Sequence, residues 1–125
     1  MHDVALPWLQ RARAKSDTGL VAAHSVAELY AVLTALPLRP RVTPEIALQV
    51  IERDVLDVLE VVPLSGQDYH SVITSLAEMR VVGGATYDAL ILQAARKAGA
   101  EQLVTLNQAD FRRLAPDWVD SIVSP

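Results

Sequence analysis

GGATYDALILQAARKAGAEQLVTLNQADF, residues 83–111, decides how this chain is read. Gly83-Gly84 breaks the chain ahead of a helix expected over residues 86–98, and Gly99 is the natural residue to end it. Gln102-Leu103-Val104-Thr105 is a short strand, and Asn107 to Leu114 is expected to form a second, shorter helix. Helix, apolar strand, helix in quick succession is the beat of an α/β domain rather than of a helical bundle or a β-sandwich.

Working outward, the same alternation continues. Residues 3–15 read as an amphipathic helix with Leu6, Leu9 and Ala12 on one face and Arg11, Arg13 and Lys15 towards its end. Asp17-Thr18-Gly19 is a turn, and Leu20-Val21-Ala22-Ala23 is an apolar run of the kind that becomes a buried parallel strand. Ser25-Val26-Ala27-Glu28 has the spacing of a capping box, so a helix is expected to start at Ser25 and to stop before Pro37. Thr43-Pro44 opens a further helix running to about Arg53. Val58 to Val62 is a strand closed by Pro63. Ser65 caps a helix over residues 66–79, and Val119 to Val123 is a last strand. No repeat, low-complexity tract or interdomain linker is visible, so residues 1–125 form one domain.

Composition narrows the function. Apolar residues make up 51% of the chain, enough for a core without disulfides, and there is no cysteine. No apolar run approaches the roughly 20 residues of a membrane span, and Met1-His2-Asp3 does not open a signal peptide. These features fit a cytoplasmic protein with no membrane partner. Fifteen acidic against eleven basic residues give a net charge of −4. Such a chain does not hold nucleic acid by bulk positive charge, but a carboxylate cluster attracts phosphate once a divalent cation sits in it.

Ligands of open parallel sheets bind at the carboxyl ends of the strands. The polar residues placed there are Glu28, Asp88, and Asn107 with Asp110. Together they would make an all-oxygen site of the kind that selects Mg²⁺ or Mn²⁺ over zinc. Each also has an ordinary structural reading. Glu28 completes a capping box, Asp88 favours a helix N-terminus, and Asn107 with Asp110 is a cap-like pair. The functional case is the combination. His2, His24 and His70 have no zinc-ligand spacing and read as structural or surface residues. Trp8 and Trp118 read as packing residues, and Gly83-Gly84 lacks the Lys-Ser/Thr of a phosphate loop.

The run from Gly84 to Ala95, then Ala98-Gly99-Ala100 and Leu103 to Phe111, closely resembles the C-terminal half of PIN domains. The resemblance is to the branch that supplies the toxins of VapBC-type toxin–antitoxin pairs. Val21 to Leu29 is similar to that family's second acidic motif, and residues 2–15 to the helix before it. The resemblance implies a three-layer α/β/α fold with a mainly parallel central sheet. It also implies endonucleolytic cleavage of RNA at one or two Mg²⁺ or Mn²⁺ ions, a cognate antitoxin as partner, and a homodimer. Carried across, Glu28 stands at the second acidic position, Asp88 at the third, Asn107 at the fourth and Asp110 at a further acid. These are the implied catalytic and metal-binding residues. Thr105 stands at the hydroxyl position before them and is the implied substrate contact.

One departure bears on activity. The family opens with an apolar strand that ends in an Asp, and nothing here matches it. On this reading the chain starts about one strand and one helix late. The sheet is then expected to lack a central strand, and the site one ligand. The alternative is therefore a catalytically inactive or fragmentary PIN-like protein that serves as a binding or dimerisation module. A receiver-like signalling domain would want paired acids after the first strand and a Lys after the last, and neither is present.

Overall fold

In the computed structural model, residues 11–13, 19–105 and 107–124 are described, the first three by their backbone alone. Five strands form one sheet in the order β3-β2-β1-β4-β5. They are β1 (Arg11–Arg13), β2 (Gly19–Ala22), β3 (Glu60–Val62), β4 (Gln102–Val104) and β5 (Ile122–Val123). β2 pairs in parallel with β3, and β4 with β5, while β1 pairs antiparallel with both β2 and β4. Four strands thus run one way, and the mainly parallel sheet is as expected.

β1 corrects two expectations. Arg11 to Arg13 form a strand and not the end of a helix, and that strand fills the centre of the sheet, which was expected to lack one. Its register sets Arg11 beside Val104 and Ala12 beside Leu20. Local pattern favoured a helix, but the strands on either side offer backbone groups with which this segment pairs. The expected helix over residues 3–10, with His2 and Trp8, and the expected turn at Asp17-Thr18 lie outside the described residues.

Strand alternation builds the layers. Leu20 and Ala22 point to one face of the sheet and Val21 to the other, as a period of two demands. On the first face, Leu20, Ala22, Val62 and Leu103 meet Ile91, Ala94 and Ala95 of α4 (Ala85–Lys97) and Phe111 of α5 (Gln108–Leu114). On the second, Val21 meets Leu29 and Leu33 of α1 (Ala23–Ala35) and Ala47 and Ile51 of α2 (Pro44–Ile51). Val72 and Leu76 of α3 (Gly66–Met79) pack on Leu90. The result is the expected three-layer α/β/α arrangement.

The helix boundaries show which local signals hold. Thr43 caps α2 by accepting from the Ile46 N–H at 3.2 Å, with Pro44 at the first helical position. Ser65 caps α3 in a full capping box: its hydroxyl accepts from the Asp68 N–H, and Asp68 accepts from the Ser65 N–H at 2.8 Å. Gly99 follows α4 at φ 69, the left-handed conformation that suits glycine after a helix. Ser25 does not behave as expected. α1 starts at Ala23 with Ala22 as its uncapped N-cap, so Ser25 lies inside the helix, buried, with no partner for its hydroxyl. α2 runs on past Ile51 as a π turn over Glu52–Leu56 that buries Val55, and β3 starts two residues later than expected. β5 is shorter than expected because Pro116–Ser121 form a 3₁₀ turn.

Candidate functional site

Every residue singled out for chemistry stands at the carboxyl edge of the sheet. β2 runs directly into α1, which carries Glu28 in its second turn. With Ser25 no longer a cap, the capping-box reading of Glu28 fails. Asp88 lies in the first turn of α4 and Asp110 in the first turn of α5. Thr105 and Asn107 form the step from β4 into α5.

Two of these groups act electrostatically on a third. The Asp88 carboxyl is half-buried and is pushed up to about 6, first by that burial, then by the charges of Asp110 and Glu28. Asp88 and Asp110 also line one cavity of about 510 Å³. Among the described residues, however, no three His, Asp or Glu side chains converge on one point. The group is an electrostatic cluster and not a finished cage. Asp110 Oδ1 is held by Arg113 Nη2 at 2.8 Å.

Asn107 is not the side-chain cap that its position suggested, for it makes no capping bond to α5. Its carboxamide is therefore not committed to the helix start. Thr105 is buried to 2% exposure, and its hydroxyl accepts the Asn107 N–H at 2.9 Å. Its own N–H donates to the Val123 carbonyl. The hydroxyl implied as a substrate contact is also tied to the backbone of Asn107. Phe111, fully buried, anchors the same segment from below.

His24 is the residue that sequence reasoning passed over. Its imidazole is largely buried, and Nε2 lies 3.9 Å from Glu28 Oε1 with no hydrogen-bond partner. Burial pulls its pKa down from the usual value, against the Glu28 charge and the Tyr87 backbone carbonyl, which favour the cation. His24 thus bridges the Glu28 turn of α1 and the Tyr87-Asp88 turn of α4. The available signal was the i, i+4 spacing of His24 and Glu28, which sets the two on one helix face.

The donor set fits a hard divalent cation. It consists of carboxylate and amide oxygens, and the charges of Asp110 and Glu28 raise the proton affinity of Asp88, which a positive charge beside it would relieve. The PIN domain family matches residues 1–116, a span that contains Glu28, Asp88, Asn107 and Asp110. The chain belongs to the PIN domain family. Two relatives of this PIN domain carry ribonuclease names. Ribonuclease VapC40 of Mycobacterium tuberculosis is 40% identical over 81 residues, which cover 65% of this chain and 59% of that protein. Ribonuclease VapC27 of the same organism is 38% identical over 79 residues, covering 62% and 55% respectively. This PIN domain therefore spans little more than half the length of the curated relatives it matches. No solved structure gives a significant match.

Proposed function

We propose that this PIN domain is a metal-dependent endoribonuclease that serves as the toxin of a VapBC-type toxin–antitoxin pair in the cytoplasm. The observation that carries the reading is the Asp88 carboxyl, pushed up to about 6 in a cavity it shares with Asp110. Perturbed carboxylates gathered in a cleft are a functional signature, because folding spends stability to hold them together. The ribonuclease names of VapC40 and VapC27 supply the substrate class.

Asp88, Glu28, Asp110 and Asn107 would hold Mg²⁺ or Mn²⁺. The bound cation would acidify water near neutral pH and offset charge building on the scissile phosphate. The chain's own groups do the positioning. Asp88 and Glu28 present carboxylates from two helices on opposite faces of the sheet. Thr105 locks the Asn107 turn, and His24 braces Glu28. Among the described residues no helix is long and apolar enough to cross a membrane. A VapB-type antitoxin and a second copy of the chain are the proposed protein partners.

The test is cleavage of a 5′-labelled RNA by the purified protein in Mg²⁺ or Mn²⁺. Cleavage that EDTA abolishes and Asp88→Ala lacks supports the reading, and no metal-dependent cleavage overturns it. One observation favours a second reading, that of a non-catalytic binding module: the carboxylates do not converge as they stand. Mn²⁺ titration by calorimetry separates the two, since tight binding lost in Asp88→Ala counts against the module.

A further inference from the structure

The cavity beside Asp88 is lined by charges of both signs. Asp88 and Asp110 line it together with Arg80 and Arg113. Its volume of about 510 Å³ lies in the range of small-ligand sites. A third source of positive potential opens into it. α4 begins at Gly84-Ala85, both of which line the cavity, and no side chain caps that helix. Its dipole favours an anion there.

The two arginines are poorly committed to the fold. Arg80 closes α3 in the left-handed conformation at φ 57, a place where glycine is the easier residue, and among the described residues it makes no ion pair. Among the described residues Arg113 pairs with Asp110 alone, and both side chains are more than half exposed (77% and 54%). An exposed pair three residues apart on one helix exchanges readily with a better partner. A phosphodiester is such a partner, because a guanidinium binds phosphate through paired, charge-assisted hydrogen bonds.

We infer that this cavity seats a backbone phosphate of the RNA strand next to the bond cut, with Arg80 and Arg113 as its clamp and Asp110 as the group that occupies Arg113 when RNA is absent. The inference rests on the ribonuclease reading for the identity of the strand. The carboxylates mark where the strand is cut, and the arginines hold the neighbouring phosphate. Asp110 stands between the two functions. When it turns towards the other carboxylates it releases Arg113 to the strand.

The test needs no turnover. Binding of a fluorescein-labelled ten-nucleotide RNA of mixed sequence is measured by anisotropy in EDTA over a salt series, with gels to show that the RNA stays intact. Arg80→Ala and Arg113→Ala should each weaken binding about tenfold and flatten the salt dependence by about 0.7 of a log unit per log unit of salt, the loss of one single-strand phosphate contact. Arg96→Ala, at an arginine paired with Asp117 outside this cavity, serves as the charge-matched control. Asp110→Asn should tighten binding several-fold, and that gain should shrink when Arg113→Ala is added. Arginine variants that bind like Arg96→Ala overturn the inference, as does an Asp110→Asn gain of equal size with or without Arg113. Absence of cleavage in Mg²⁺ with the arginine dependence intact would sink the nuclease reading alone. Cleavage with arginine-independent binding would sink the clamp alone.

Discussion

Burial, and then the charge of Asp110, push the Asp88 carboxyl up to about 6 across the junction of α4 and α5. The usual value is 3.8, so between about pH 4 and 6 the folded state holds a proton that the unfolded chain has lost. Stability of the metal-free protein therefore falls as pH rises through that window. Asp88→Asn removes this dependence. Its advantage over the parent should be absent near pH 4, grow to pH 6 and level off above. The plateau is on the order of 1–2 kcal/mol, the full shift being discounted for the part of the group that meets solvent. Urea unfolding in EDTA at pH 4, 5, 6 and 7 reads it, and a difference that stays flat with pH would show that Asp88 is not strained.

The same group sets the response to cations. Mg²⁺ or Mn²⁺ at a hundred times its dissociation constant should stabilise the protein by about 2.7 kcal/mol. EDTA should reverse the effect, and Asp88→Asn should not respond. Because the cation must displace a proton from Asp88, affinity should weaken as pH falls below about 6. Thermal melts with and without cation at pH 5 and 7 check both points. An equal response at the two pH values would exclude Asp88 as a ligand.

Thr105 separates positioning from contact. Replacing it by Val leaves the Asn107 N–H without its 2.9 Å acceptor at a part-buried bond. That should cost about 0.5–1.5 kcal/mol, while Thr105→Ser keeps the bond and most of the stability. If the hydroxyl positions Asn107 and does not meet RNA, Thr105→Ser should also keep divalent-cation affinity, measured by calorimetry, and Thr105→Val should lose part of it.

The far end of α3 offers a control remote from the carboxylates. Ser65→Ala removes a capping box and should cost about 1 kcal/mol in urea unfolding with no change in cation affinity. Asp68 in that box also holds Lys97 Nζ at 2.6 Å, and Lys97 above all keeps its carboxyl well below the usual range. A carboxyl lowered in this way contributes stability above about pH 4 and loses it as pH falls further. Lys97→Ala should therefore make the protein less sensitive to acid below pH 4, the opposite side of the window from Asp88.

Where the sequence was legible, the signal was local and chemical. Thr43-Pro44, Ser65 and Gly99 mark helix ends that need only their neighbours, and the structure keeps all three. Leu103-Val104 and Leu20-Val21 carry enough apolar character to be strands in any context. Ser25-Val26-Ala27-Glu28 misled because the same spacing occurs one turn inside a helix. α1 starts two residues earlier, where β2 feeds straight into it, which leaves Ser25 inside the helix. Arg11-Ala12-Arg13 misled more deeply. Its partner on one side is Val104, and no window of local sequence contains both. The carboxylates were found from their places in the chain, whereas their mutual charge and the tie of Asp110 to Arg113 belong to three dimensions.

The direction of β1 has a consequence for how the molecule assembles. Only residues 14–18 separate it from β2, so the two close as a hairpin, an event of microseconds, with no crossover to thread. The middle of the sheet is thus laid down early and locally. What remains is the arrival of β4, whose pairing of Val104 with Arg11 spans most of the chain. Of the strand pairings it closes the longest loop, which makes it the expected bottleneck in folding. Thr105, Asn107 and Asp110 follow β4 directly in the chain, so on that expectation the carboxylates meet only once this closure is made.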